Sequence, residues 1–169
     1  TDAFCAMVDK FIAAGFNYFD TARPYHWKRS EQALKTCLAE RYDRSQFLLA
    51  NKLSATFFEK EEDIRPLIED QLQSCGVEYF DFYLMHALNN DRFDFYQQVG
   101  AFDEALQLKA EGKIRHMGIS FHDKAEVLEH YGCYHQHFLF STESAREVEQ
   151  ILQAYRRGDP LPGTVRRLK

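Results

Sequence analysis

Four apolar runs in this 169-residue sequence each end on a polar side chain: Asp20, Lys52, His86 and Ser120. A carboxylate, an ammonium, an imidazole and a hydroxyl are groups that give, take or orient protons, and a phenol, Tyr25, lies shortly after the first of them. Singly, each has an ordinary structural explanation. Asp20 can close an Asx turn with Thr21, Lys52 can be a solvated loop lysine, His86 a satisfied core histidine and Tyr25 an aromatic cover. Their spacing sets them apart, because the run ends fall at 20, 52, 86 and 120, a step of 32 to 34 residues.

A period of that length is what consecutive βα units produce when each crossover is a single helix. Residues 2–14 place Phe4, Met7, Val8, Phe11 and Ile12 on one helix face, with Gly15 as the stop. Residues 17–20 form a short strand. A helix follows from Ser30, a suitable N-cap, through Leu34, Cys37 and Leu38 to Arg41. Residues 47–52 are apolar enough for a strand buried on both faces. The next helix runs through Ile64, Leu67, Ile68 and Leu72 to Gly76, with Pro66 tolerable only in its first turn. Residues 79–86 are the third strand, Val99, Phe102 and Leu106 mark a fourth helix ending at Gly112, and residues 114–120 are the fourth strand. Residues 123–131 again read as helix.

Beyond Gly132 the regularity fails. Residues 133–140 are too short for a full unit and offer a fifth strand at 138–140; a helix spans 144–157, and residues 159–163 form an exposed turn. The expected organisation is a part-barrel over residues 1–132, with residues 133–169 a connecting segment, helix and tail of the same domain. Apolar strands alternating with helices imply an α/β fold with a parallel, helix-covered sheet, either a barrel or a doubly wound sheet. No Gly-x-Gly-x-x-Gly loop follows any strand, which disfavours the dinucleotide-binding doubly wound form. In a parallel sheet the C-terminal strand ends share one side, where barrel enzymes place their chemistry. Asp20, Lys52, His86 and Ser120 therefore converge, with Tyr25 in a loop on that side.

Composition narrows the partners. The chain is 45% hydrophobic and 15% aromatic, which suits one domain burying roughly two-thirds of its unfolded surface. Net charge is −5 with both signs interspersed, and the short tail Arg166-Arg167-Leu168-Lys169 is no footprint for nucleic acid. A small molecule or a protein is the expected partner. No apolar run approaches the roughly 20 residues that cross a bilayer, and no signal pattern opens the chain, so a cytoplasmic location is expected. Cys5, Cys37, Cys75 and Cys133 are widely spaced, with no Cys-x-x-Cys pair, so they read as reduced thiols, with neither a metal site nor a disulfide framework.

Gly15-Phe-Asn-Tyr-Phe-Asp-Thr-Ala-x-x-Tyr25, Asn51-Lys52, Asp81-Phe-Tyr-Leu-Met-His86 and Gly112-Lys-Ile-Arg-His-Met-Gly-Ile-Ser120 resemble, in order and strand context, the motifs of the aldo-keto reductase family over roughly residues 1–130. The runs His86-Ala-Leu-Asn89 and Ser120-Phe-His122 further resemble a bacterial branch whose longer members carry a C-terminal iron-sulfur segment; its cysteine cluster has no counterpart here. The resemblance implies a (β/α)8 barrel of the TIM type, NADPH (NADP+) bound without a Rossmann fold, and hydride transfer to an aldehyde or ketone. It makes Tyr25 the general acid, Lys52 the group that readies the phenol to give its proton, Asp20 the partner of Lys52, and His86 the orienter of the carbonyl. Ser120 then meets the nicotinamide amide and Trp27 lines the substrate pocket.

Physical chemistry agrees with these roles. A phenol with an ordinary pKa near 10 is a poor donor at neutral pH, and an ammonium about 4 Å away at an effective dielectric of about 20 stabilises its anion by roughly 4 kcal/mol. A lysine in an apolar barrel mouth tends to lose its proton, and a nearby carboxylate opposes that loss. An imidazole N–H aimed at the substrate oxygen gains strength as negative charge grows there.

The sequence departs from the family in two respects. Phe121 stands where many members carry an asparagine, leaving the amide contact to Ser120 and His122. Barrels of this fold need about 250 residues, whereas four to five βα units are visible, so the barrel reads as incomplete. Residues 141–149 resemble the family's last coenzyme-binding segment, which would make Arg146 the ligand of the adenosine 2′-phosphate; Arg146 fits equally a surface position on an amphipathic helix. An open sheet exposes apolar surface and strand edges, so either self-association of part-barrels or membership of a longer enzyme is expected. The leading function is an NADPH-dependent carbonyl reductase. A catalytically inactive binding or regulatory relative is the alternative, and a lyase using Lys52 as Schiff-base nucleophile is disfavoured because a carboxylate-paired ammonium is a poor nucleophile.

Overall fold

Strands β1 (Tyr18–Asp20), β2 (Leu48–Leu53), β3 (Phe80–Leu88), β4 (Ile114–Phe121) and β5 (Phe138–Thr142) lie side by side in chain order, every pair parallel. This is a computed structural model, and it describes residues 2–124 together with the backbone of residues 138–142. Strictly sequential order distinguishes the sheet from a doubly wound one, whose order reverses at a switch point. Successive right-handed crossovers that all step the same way put their helices on one face and leave the other face as a barrel interior. Five sequential strands are part of such a barrel.

Register fixes which side chains share a face. Asp20 pairs with Ala50, Lys52 with Leu84, and Leu84 with Gly118. With a period of two along each strand, Asp20, Lys52, His86 and Ser120 stand on the same face. Residues of opposite parity, among them Leu49, Tyr83, Met85 and Ile119, are fully buried in the core beneath the helices. A helix-side core therefore holds the strands while the other face stays available for chemistry.

The helices follow their apolar patterns with one exception. Helix α1 (Asp2–Ala13) covers the first strand, and α2 (Ser30–Leu34) continues through a π turn at Lys35–Ala39. Helix α3 (Ile64–Cys75) has Pro66 in its first turn, where the missing N–H costs nothing. It stops at Gly76, whose φ of +69° is a left-handed cap that a side chain would strain. The single helix expected around Val99–Leu106 is instead two, α4 (Asn90–Gln98) and α5 (Ala101–Ala110), separated by Val99 and the left-handed Gly100. Asn89 caps α4 by accepting from Arg92 N at 2.9 Å. Leu106 is exposed, and α5 buries Ala101, Ala105 and Leu108 instead. The Asn89-Asn90-Asp91 run was the available sign of this extra start.

Two further expectations need correction. Strand β1 is not apolar throughout: it is an edge, with Tyr18 exposed and Asp20 partly so. Cys5 and Cys37 are not free thiols but a disulfide joining α1 to the π turn, with Cα atoms 4.6 Å apart. Sequence spacing could not show this pairing, because the crossover itself brings the two helices together. Cys75 is buried and reduced, as expected; Cys133 lies outside the described residues, as do the helices expected at 123–131, beyond Lys124, and at 144–157. Among the described residues no helix is long and apolar enough to cross a membrane, and no cluster of metal-ligating side chains occurs.

At the N-terminal end of the sheet, Asp81 is almost fully buried and accepts from Leu49 N at 2.9 Å, Arg44 Nη2 at 2.5 Å and Arg115 Nη1 at 3.0 Å. Both guanidiniums also lie over the Tyr79 ring, at 3.9 and 3.8 Å. One carboxylate thereby ties β2, β3 and β4 together at the end away from the candidate site.

Candidate active site

Lys52, the penultimate residue of β2, is only 3% exposed. A buried ammonium needs partners. It donates to Asp20 Oδ1, at the end of β1, and to the Thr21 carbonyl at 3.0 Å. Its Nζ lies 4.7 Å from the centroid of the Tyr25 ring, a cation over the electron-rich face. The Tyr25 ring in turn meets His86 edge to face, with centroids 5.8 Å apart and an interplanar angle of 82°. Carboxylate, ammonium, phenol and imidazole from three strand ends thus form one continuous cluster, as their spacing predicted.

His86 sits beside a bulge. The pairing of β3 with β4 slips between Met85 and Leu88, and Ala87 has a φ of +51°, so the strand bends where the imidazole emerges. Burial first, then the positive fields of Lys52, His122 and Arg92, push the His86 pKa down to about 4. The ring is neutral at pH 7. Its Nδ1 lies 2.6 Å from Ser54 Oγ.

At the end of β4, Ser120 is buried, with its Oγ 3.2 Å from His122 Nε2. Phe121, between them, is 4% exposed and belongs to the helix-side core. The residue that replaces the expected asparagine thus points away from the face that carries Ser120. Trp27 stands apart from the cluster, 88% exposed, in a loop where His26, Trp27 and Lys28 have φ of 49°, 59° and 67°. Three consecutive left-handed residues that are not glycine cost roughly 1–2 kcal/mol each. Lys28 Nζ over the Phe57 ring at 4.9 Å anchors that loop to the segment after β2. Arg146 lies outside the described residues.

Several residues of the site escaped sequence reasoning. Asn51, on the helix side of β2, accepts from Lys52 N at 2.8 Å through Oδ1 and donates to Glu31 Oε1 at 2.9 Å. Gln71 of α3 donates to Glu31 Oε1 at 3.0 Å and to the Lys52 carbonyl at 3.1 Å, and accepts from Tyr83 OH at 2.5 Å. Both backbone groups of Lys52 are therefore held by buried side chains. Glu31 is 1% exposed, and burial raises its pKa against the opposing hydrogen bonds of Asn51 and Gln71 and the charge of Arg23, whose Nε is 2.9 Å away. A polar residue beside a strand-end lysine, and a glutamate directly after a helix N-terminal serine, were the visible signals. Neither identifies its partner without the fold.

A model of the aldo/keto reductase family matches residues 2–147. The norsolorinic acid reductase stcV of Emericella nidulans is 30% identical over 129 residues, covering 68% of this chain and 32% of that protein. An NAD(P)H-dependent D-xylose reductase of Pyricularia oryzae is 34% identical over 88 residues, covering 50% of this chain and 27% of its own length. The chain spans about a third of the length of these curated relatives. Among solved structures, an aldo/keto reductase from Brucella melitensis superposes with a TM-score of 0.68 at 20% identity, covering 94% of this chain and 61% of that one. One from Klebsiella pneumoniae, in complex with NADPH, gives 0.59 at 22% identity, covering 74% and 41%.

Proposed function

The chain belongs to the aldo/keto reductase family, and from that premise we propose that it reduces aldehydes or ketones with NADPH, using Tyr25 as the proton donor. The observation that carries the reading is the buried Lys52 ammonium, paired with Asp20 and set 4.7 Å over the Tyr25 ring. Asp20 and the Thr21 carbonyl accept hydrogen bonds from the Lys52 ammonium. The ammonium then stabilises negative charge on the phenol as Tyr25 gives its proton to the carbonyl oxygen. His86, neutral at pH 7, donates a hydrogen bond to that oxygen as its charge grows.

The residues at the end of β4 fit the amide end of the coenzyme. Ser120 offers a hydroxyl that both donates and accepts, and His122 reaches it from two residues on. When bound, NADPH supplies the hydride. Arg146 is proposed to hold the 2′-phosphate and Trp27 to contact substrate. The exposed Met7, Phe11, Phe16 and Tyr18, around the β1 edge, support self-association or cover by further chain, which light scattering distinguishes. The compartment proposed from the sequence is the cytoplasm, and the Cys5–Cys37 disulfide weighs against it, because reducing compartments keep thiols open; thiol trapping of Cys5 and Cys37 in cells decides the matter.

Titrating the chain against NADPH fluorescence and following oxidation with a panel of aldehydes tests the reading. Tyr25→Phe should retain binding and lose roughly 10²–10⁴-fold in turnover. Absence of binding at millimolar nucleotide, or full turnover in Tyr25→Phe, overturns it.

A further inference from the structure

Ser54 is 4% exposed and follows Lys52 by two residues, on the same parity of the chain. Its Oγ stands 2.6 Å from His86 Nδ1. The Ser54 hydroxyl has no other hydrogen-bond partner among the described residues, so accepting from an Nδ1–H would leave its own buried proton without an acceptor, whereas donating to Nδ1 satisfies it. The contact is also rigidly supported. Tyr96 of α4 donates to the Leu53 carbonyl at 2.5 Å, lies 3.2 Å from the His86 carbonyl, and accepts from Ala55 N at 3.1 Å. One phenol thereby fixes the backbone on both sides of Ser54 and at His86. Ser54 O accepts from Phe57 N at 3.0 Å, closing the turn that follows.

We infer that Ser54 is a positioning residue that donates to His86 Nδ1 and so selects the imidazole tautomer carrying its proton on Nε2. A neutral imidazole has a single N–H, and its place is set by what the other nitrogen meets. With the Ser54 hydroxyl on Nδ1, the proton sits on Nε2 and is available to an external acceptor. With the bond reversed, His86 would present a lone pair and would repel a carbonyl oxygen. The consequence for catalysis rests on the reductase reading above, whereas the tautomer itself does not.

The test uses the whole chain labelled with 15N-histidine, in two-bond 1H–15N spectra, with His86 identified by the signals lost in His86→Asn. The expected result is the Nε2–H form in the native protein, a mixture enriched in Nδ1–H in Ser54→Ala, and recovery of Nε2–H in Ser54→Thr, which keeps the hydroxyl. Thermal melts of the variants verify that each is folded. A native Nδ1–H form, or an unchanged Nε2–H form in folded Ser54→Ala, overturns the inference. In turnover, Ser54→Ala should lose about 10- to 100-fold in kcat, the order of loss when a metal-bound histidine loses its outer hydrogen-bond partner, with KM for NADPH unchanged and Ser54→Thr restoring the rate. If the tautomer responds as expected but no NADPH is oxidised, the reductase reading fails and the assignment of Ser54 stands.

Discussion

Acid should cost this fold a measurable part of its stability through His86. The imidazole is partly buried and faces the positive charges of Lys52, Arg92 and His122, which together with burial bring its pKa down to about 4 from 6.5. As pH falls below 6.5 the unfolded chain takes up this proton while the folded chain does not, so the unfolded state is favoured. The stabilisation from a neutral His86 is therefore complete above about pH 6.5 and is lost as pH drops toward 4. At 1.36 kcal/mol per unit, the full displacement is worth about 3 kcal/mol, and solvent at the exposed edge of the ring brings this to about 2 kcal/mol.

Urea unfolding followed by circular dichroism at pH 7 and pH 4.5 gives the measurement. Other groups titrate in the same interval, so the diagnostic quantity is the difference from His86→Asn, which has no imidazole to protonate. The native protein should lose about 2 kcal/mol more than the variant over that interval. Equal losses, or an NMR titration of His86 centred near 6.5, would refute the reasoning. A functional corollary is that turnover should show no limb near pH 6.5 that disappears in His86→Asn.

Asn51→Ala removes the acceptor of a buried backbone N–H and one donor to the buried Glu31 carboxylate; it should destabilise the fold by roughly 2–4 kcal/mol in urea, with a smaller loss in Asn51→Asp only if the acceptor role dominates. The Cys5–Cys37 bond closes a loop of 32 residues in sequence separation, worth about 3–4 kcal/mol by loop entropy. Dithiothreitol should therefore lower the melting temperature of the native chain and leave the Cys5→Ser, Cys37→Ser double variant unmoved.

Much of the site was legible because strand ends announce themselves. Phe47 to Leu53 is apolar except at Asn51 and Lys52, and a charge that interrupts such a run must sit where it can find a partner. The spacing of 32 to 34 residues placed Asp20, with Tyr25 beyond it, on the same rim as Lys52, and the family resemblance made Asp20 the partner of that lysine. What could not be read is everything that depends on which helix faces which strand. Gln71 meets the Lys52 carbonyl because α3 packs behind β2, and Cys5 meets Cys37 because α1 lies on the next crossover. The second missed element has a local cause. The apolar pattern of Phe93 and Tyr96 in α4 runs out of phase with that of α5, and Gly100 lets the chain turn between them.

The cluster at the ends of β1, β2 and β3 is held in place by its own neighbours. Lys52 is held through its side chain by Asp20 and Thr21, and through its backbone by Asn51 and Gln71. His86 is held by Ser54 and by Tyr96. All of these lie between β1 and α4, in strands whose register is locked by Ala50 pairing with both Asp20 and Phe82. Asp20 is the weak point, because its carboxylate is 39% exposed on an edge strand while the lysine it neutralises is buried. Solvent at Asp20 screens the pair, whereas an unpaired Lys52 would bear the full cost of its burial. Covering the β1 edge would therefore strengthen the very contact on which the proposed proton donation by Tyr25 rests, which links cover of that edge to the chemistry proposed at the rim.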